Sequence, residues 1–447
     1  MVKDKPKKVG TLLPLQSLRS EKEKRASFKT GELFLDWLAK TKQTAWQMLP
    51  LHETDVSPYK SYGIGLSSKL CSQPANKNKE KAIKFIEANQ DWLDNYALFE
   101  VLSRQFGTKD WRQWPLEIRY RHPDALENWQ LKFNKEINQE KLKQAHLHID
   151  YMQIRKKARD LKIDLIGDLP FYLDVNSPLV WQYQNLFKWE RGLNLIEVSG
   201  IPQNRKSYFG RQVWGHPLYN WSEDKLDQIT SLFELRLRYL NQLFDWVRLD
   251  YAKGFFKFGV INLKTNQDCF RLGPGKSFLE NLIAIGRKWN LKIFAEDIGS
   301  QVKQLRLLMK KENIPGIKIL RYAYDEKQKK FVPTYLDIDK YPINTFAYTT
   351  THDTSPLRCY LDNLPDEILG KLKEKWRIKE NIEGRSLSKT IIKRLIKSPA
   401  KMVIIPLQDW LYTKTRINVP GTEGKPGFKN WQYVMEVPIE KLPLNLI

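Results

Sequence analysis

Cysteine is scarce in this chain. The three among 447 residues, Cys71, Cys269 and Cys359, stand far apart and in no C-x-x-C spacing. That excludes a disulfide-stapled scaffold and offers no zinc or redox motif. The thiols read as reduced. Long apolar runs are also missing. No stretch approaches the roughly 20 apolar residues needed to span a bilayer, and the run behind the lysines of MVKDKPKKVGTLLPL is too short for a signal-peptide core. A cytoplasmic protein without membrane contact is expected. Acids are outnumbered, 51 against 75 Lys and Arg, which leaves a net charge of +24. Such an excess invites a polyanion partner. Yet the basic runs Lys77 to Lys81 and Lys327 to Lys330 are short and interleaved with Glu, Asn or Gln, as solvated helix faces are. No recognition motif accompanies them, so nucleic acid is not expected as a partner.

What the chain does hold is apolar and aromatic: 41% hydrophobic residues and 15 tryptophans, enough for a large core and incompatible with disorder. Its length allows two or three ordinary domains or one α/β barrel with insertions. Short β-rich runs alternate with segments of helical periodicity, the pattern of parallel strands joined by helical crossovers. Eight candidate strands are Val9 to Leu13, Ala45 to Leu49, Ile163 to Ile166, Trp246 to Leu249, Ile293 to Ala295, Ile317 to Leu320, Thr345 to Thr349 and Ile417 to Val419. Apolar stripes predict helices over Gly31 to Thr41 and Ile229 to Asp245. We therefore expect a (β/α)8 TIM barrel forming a single catalytic domain. Mainly helical insertions are expected at about 57–160, 176–219 and 356–406, grouped around the active-site rim. There is no internal repeat or low-complexity linker.

In such barrels the active site lies at the C-terminal ends of the strands. Here those ends carry acids: Asp168, Asp250, Glu296 with Asp297, and Asp353 after His352. A helix N-cap or a surface loop explains any one of them, but four placements on one rim ask for a common cause. Paired carboxylates with no metal or nucleotide motif nearby suit glycosidic cleavage. One acid attacks the anomeric carbon and the other protonates the leaving oxygen. Arg248 shares a strand face with Asp250, and its charge would keep that nucleophile ionised. Glu296, as the acid, needs a less polar or more anionic setting. Tyr59, Tyr62, Tyr172, Trp181, Trp214, Tyr219 and Trp221 fall in or beside the insertions. Each taken alone reads as packing. Tyr59 and Trp214, in polar loop-forming contexts, read as sugar platforms.

These residues resemble a known family, the amylomaltases or 4-α-glucanotransferases (disproportionating enzymes), a branch of the α-amylase-like barrels. The resemblance runs through Gly10-Thr11-Leu12-Leu13, Ser57-Pro58-Tyr59, Gly167-Asp168-Leu169-Pro170, Gln212-x-Trp214-Gly215 and Val247-Arg248-Leu249-Asp250. It continues through Ala295-Glu296-Asp297-Ile298-Gly299, Pro315-Gly316, Thr351-His352-Asp353 and Asn418-Val419-Pro420-Gly421-Thr422. It implies a retaining transfer of α-1,4-glucan segments from maltooligosaccharides or longer glucans to an acceptor such as glucose. In it Asp250 is the nucleophile, Glu296 the general acid and base, and Asp353 the stabiliser of the distorted sugar. Arg248 and His352 match positions that support the nucleophile and bind donor hydroxyls. Asp168, Gln212, Trp214 and Asn418 match places near the glucan, and Ser57 and Tyr59 a loop over the acceptor side. No metal or organic cofactor is implied. The chain departs from the family pattern at Tyr251, His216, Pro202-Gln203-Asn204 with Tyr208-Phe209, and the inserted Lys425 to Lys429. Hydrolysis and transfer share the three acids, so a glucan hydrolase and a non-catalytic glycogen- or polyanion-binding barrel are the alternatives.

Overall fold

The computed structural model describes residues 7–70, 78–203, 210–265, 267–422 and 425–446. Cys71, Lys77, Asn204, Tyr208 and Phe209 lie outside these described residues. Eight parallel strands form the centre: β1 (Lys8–Leu12), β2 (Ala45–Gln47), β3 (Asp164–Leu169), β4 (Trp246–Leu249), β5 (Lys292–Ala295), β6 (Gly316–Ile319), β7 (Thr345–Tyr348) and β8 (Met402–Pro406). They pair in the order β6-β7-β8-β1-β2-β3-β4-β5, each next to its sequence neighbour. The strands are apolar on both faces because helices cover the outside and side chains fill the interior. In β8, every residue is buried.

The seam between β5 and β6 is closed by side chains as much as by backbone. Ala295 N–H donates to the Pro315 carbonyl at 3.0 Å. Asp297 then accepts from Ile317 N–H at 2.8 Å and from Arg306 Nε at 2.6 Å. A Cβ on Gly316 would stand 2.8 Å from Asp297 Oδ1, so the Pro315-Gly316 pair leaves room for this bridge. Asp297 is 4% exposed. Grouped with the rim acids on sequence grounds, it is a structural acid whose oxygens are already engaged.

Seven of the expected strands are present, Trp246–Leu249 with the expected bounds and the others with shifts at their ends. The eighth is corrected. Ile417 to Val419 lies in a loop, and the barrel strand is Met402–Pro406. The stretch 356–406, set apart as an insertion, therefore ends in a barrel strand. Before it come the helices Leu357–Asp362, Asp366–Lys375 and Gly384–Ile396. The run MVIIP closes the most basic part of the chain, which drew the boundary too far.

The two predicted helices are Phe28–Lys40 and Leu226–Leu243. The first starts earlier than its apolar stripe because Ser27 and Thr30 cap it reciprocally, each side chain accepting the other's backbone N–H. Between β2 and β3 stand long helices, among them Gln90–Gln105 and Asn134–Asp160. The stretch 176–219 is built differently, with a five-residue helix, Pro178–Gln182, and two strands, Glu197–Ile201 and Gln212–Val213. These join Lys257–Asn262 and Cys269–Leu272 in a four-stranded antiparallel sheet. Among the described residues no helix is long and apolar enough to cross a membrane.

Candidate active site

The barrel places its acids by extending the ladder one residue past the strands. Asp250 N–H donates to Leu169 O at 3.2 Å and Glu296 N–H to Leu249 O at 3.1 Å. The nucleophile candidate is thereby tied to β3 and the acid candidate to β4. Arg248, two residues before Asp250 and 6% exposed, reaches the same side of the sheet. Its Nη2 donates to Asp250 Oδ1 at 2.9 Å and to Asp168 Oδ2 at 2.7 Å, and its Nη1 to Glu296 Oε2 at 3.2 Å. Asp168 is fully buried and also accepts from Arg248 Nε at 3.0 Å and from the Tyr59 hydroxyl at 2.7 Å. Matched by the family pattern to a place near the glucan, it sits beneath that place and anchors Arg248.

One guanidinium thus faces three carboxylates. Burial lifts the Asp250 carboxyl well above the ordinary carboxylate range; Arg248 pulls it down, while Glu296, Asp168 and Asp353 push it up. Arg248 does not hold Asp250 ionised alone, as the sequence suggested, because its charge is shared. Burial, with the neighbouring carboxylates added to it, favours the protonated form of Asp250 over the charge of Arg248. Tyr251 adds a further restraint. It sits in the left-handed region (φ 48°, ψ 37°), and its N–H donates to Glu296 Oε2 at 3.2 Å.

Asp353 has the opposite electrostatics. Burial would raise its carboxyl, but attraction and a hydrogen bond from His352, with a hydrogen bond from Asn418 and the charge of Arg248, hold it down at about 2. His352 Nε2 is 3.2 Å from Asp353 Oδ2, and Asn418 Nδ2 donates to Oδ1 at 2.7 Å. Arg416 Nη2 fixes the Asp353 carbonyl at 3.0 Å. Tyr59 closes the group. Its hydroxyl lies 2.6 Å from Arg248 Nη2 and 3.0 Å from His352 Nε2, and its ring stacks on His352 at 5.6 Å. The loop that carries it is braced by Thr54 Oγ1, which donates to the carbonyls of Ser57 and Lys60.

Above this floor is a cavity of about 160 Å³. Of the residues chosen from the sequence, Ser57, Tyr59, Gln212, Trp214, Asp250, Glu296, Asp353 and Asn418 line it. Asp168, Arg248 and His352 form the layer behind. Tyr172, which taken alone read as packing, also lines it, as do Lys60, His216, Tyr251, Pro420 and Trp431, to which sequence reasoning gave no sugar role. Trp431 was findable, since it sits in a polar, Pro- and Gly-containing stretch like that around Trp214. Tyr62, Trp181 and Tyr219 are at most 3% exposed and belong to the core. His216 stacks on Tyr172 at 5.7 Å, and its Nδ1 is 3.2 Å from the Leu173 carbonyl. Burial first, then the charge of Lys60, lowers it to about 3, so it is neutral near pH 7. Trp431 also lines a larger groove of about 1730 Å³ together with Lys24, Phe28, Lys69 and Gln432. Among the described residues no cluster of His, Cys, Asp and Glu has the makings of a metal site.

A barrel that sets three carboxylates around one guanidinium, beneath a cavity walled by Tyr and Trp, is the build of an enzyme that opens and remakes glycosidic bonds. The sequence profile of a family described as 4-alpha-glucanotransferase matches residues 13–71 and 66–439. The chain belongs to that family, and is a glycosyltransferase by class. A 4-alpha-glucanotransferase of Aquifex aeolicus is 27% identical over 95% of this chain and 94% of its own length. The chloroplastic/amyloplastic 4-alpha-glucanotransferase of Solanum tuberosum is 30% identical, over 76% of this chain and 58% of its own. Among solved structures, the amylomaltase of Streptococcus agalactiae in complex with acarbose superposes with a TM-score of 0.82 at 24% identity, covering 96% of this chain and 95% of that one.

Proposed function

We propose that Asp250, Glu296 and Asp353 carry the glucanotransferase reaction on α-1,4-glucans and maltooligosaccharides. A carboxylate oxygen of Asp250 attacks the anomeric carbon of the donor as Glu296 gives its proton to the departing 4-oxygen. The C1–O4 bond breaks, the reducing-end fragment leaves, and a covalent glycosyl-enzyme remains. The 4-hydroxyl of an acceptor, glucose or another glucan, then attacks C1. Glu296 takes the proton back and Asp250 is released. The first step requires Asp250 as the carboxylate, and Arg248 is the group that favours its charged form against burial.

The observation that carries this reading is the sharing of Arg248 by Asp168, Asp250 and Glu296, which brings the two proposed reacting acids onto one guanidinium. Asp353, kept ionised by His352 and Asn418, faces the positive charge that develops on the sugar. Arg248 and His352 address donor hydroxyls through the groups they orient. Gln212 and Trp214 wall one side of the cavity, and Ser57, Tyr59 and Asn418 another. A glucan longer than the cavity continues past Trp431 into the larger groove. We treat the chain as one catalytic barrel domain in which 57–160 and 176–219 are subdomains at the rim, supported by a single apolar cluster running through barrel and insertions. A reducing cytoplasm is its proposed location, supported by free thiols at Cys269 and Cys359.

Purified protein incubated with maltotriose is expected to give glucose and a ladder of longer maltooligosaccharides. Glucose and maltose with no ladder would replace transfer by hydrolysis.

A further inference from the structure

Behind the β7 rim lies a buried acid that the chemistry above does not use. Asp409, on the short helix Leu407–Leu411 that follows β8, is 3% exposed. Its Oδ2 accepts from Thr349 Oγ1 at 2.5 Å and from Thr350 Oγ1 at 2.6 Å, and its Oδ1 accepts from Leu357 N–H at 2.6 Å. These donors lie on either side of His352 and Asp353. Thr349 and Thr350 continue β7, and Leu357 opens the helix Leu357–Asp362. That helix starts at Pro356 without a side-chain cap of its own, so Asp409 supplies from another element the acceptor its first N–H needs.

The loop is short and its interior is self-braced. Thr351 N–H donates to Thr354 Oγ1 and Asp353 N–H to Thr351 Oγ1. Such bonds fix its shape but not its position on the barrel. Position comes from other elements. Arg321, after β6, donates its N–H to the Thr349 carbonyl at 3.0 Å and its Nε to Ser355 Oγ at 3.3 Å. Tyr59 meets His352, and the segment after β8 supplies the rest. Arg416 and Asn418 hold Asp353 from the cavity side, and Asp409 pins both ends of the loop from beneath. Burial pushes the Asp409 carboxyl up to about 6, with the two threonine hydroxyls and the Leu357 amide opposing that rise. Near pH 7 it is therefore a carboxylate, held by three donors.

We infer that Asp409 is a positioning residue for the reaction, which sets where His352 and Asp353 stand relative to the sugar by clamping both ends of the loop that carries them. This rests on the glucan reading above. It also predicts a particular kinetic signature: ground-state binding depends on the whole cavity, whereas a displaced Asp353 fails chiefly at the transition state.

The test compares Asp409→Ala, Asp409→Asn and the pair Thr349→Val with Thr350→Val, by steady-state kinetics on maltotriose well below each variant's melting temperature. Asp409→Ala is expected to lower kcat by about 100-fold while KM stays within about threefold, the size of effect a displacement near 1 Å produces. Asp409→Asn keeps an accepting oxygen and is expected to recover about tenfold of that loss. If Asp409→Ala does not fold, the threonine variants decide, because they remove donors and leave the carboxylate in place. A fall in their kcat at steady KM supports the inference. Folded variants with kcat within twofold of the unmutated protein overturn it, and so does a loss of kcat that merely follows the melted fraction. The unmutated rate is the reference throughout, so a failure of the glucan reading shows in the parent protein and a failure of this inference only in its variants.

Discussion

Trp214 lines the cavity and Arg248 lies in the layer behind it, and the two are held in different ways. Arg248 is 6% exposed and bonded to Asp168, Tyr59, Asp250 and Glu296, so four elements converge on one guanidinium. Trp214 follows a two-residue strand. Its indole donates to the Gln212 side chain at 2.9 Å and packs edge-on against Tyr251 at 4.9 Å. The floor is a closed network in which each group fixes the charge and direction of the next. The wall is a set of surfaces, each contributing contact area on its own. The difference predicts that floor mutations act together and on kcat, while wall mutations act singly and on KM.

The largest effects belong to the acids. Asp250→Asn and Glu296→Gln are each expected to lower kcat by about 10³-fold or more, near the upper range for acid–base groups. Asp250→Asn should melt no lower than the parent. Since burial raises that carboxyl, its ionised form costs stability at neutral pH and the amide removes the cost. Near-parental turnover in either variant would end the assignment.

Next is Arg248→Met, which leaves buried carboxylates facing one another. Breaking such a cluster costs about 3–5 kcal/mol, visible as a lowered melting temperature together with a large loss of kcat. Loss of activity without loss of stability would show that the floor is not a network. Tyr59→Phe removes the hydroxyl that touches Asp168, Arg248 and His352 but keeps the ring on His352. About tenfold in kcat is expected, equivalent to about 1.4 kcal/mol.

The wall should respond less. Trp214→Ala is expected to raise KM for maltotriose by about tenfold, about 1.4 kcal/mol, with kcat at saturation nearly kept. A kcat loss matching that of Arg248→Met would merge the two regions. His216→Asn is the smallest change, expected within about threefold and with an unmoved pH profile, since a group at about 3 stays neutral where the enzyme is assayed. Asp353, ionised down to about pH 2, likewise should not contribute an acid limb between pH 4 and 6.

Much of the floor was readable as sequence because strand ends impose order. Asp168, Asp250 and Glu296 follow apolar runs directly, and alternation alone put Arg248 beside Asp250. Sharing was not readable, since it depends on three strands meeting at one guanidinium. Asp297 resembles its neighbour Glu296 in sequence, and only the folded chain brings Arg306 and Ile317 onto its oxygens. The same limit hid β8: both MVIIP and Ile417 to Val419 carry β-branched residues, and pairing with β1 and β7 is what marks MVIIP as the strand. Tyr62 and Trp181 differ from Tyr59 and Trp214 in depth, which composition does not encode. Asp409 had no local signal, because its donors come from the neighbouring strand and loop.

Tyr251 gives the two reacting acids a common ruler made of main chain. Its left-handed backbone turns the amide after the nucleophile towards Glu296. The offset between Asp250 and Glu296 is therefore gauged by a peptide plane, which flexes far less than a side-chain rotamer. Position 251 then admits side chains by backbone tolerance first and by chemistry second. Glycine or asparagine would keep the gauge, whereas a β-branched residue would be strained there by about 1–3 kcal/mol. The phenol ring has a separate task, accepting from Gly259 N–H at 3.2 Å and packing against Trp214, so backbone and side chain at this position serve different ends.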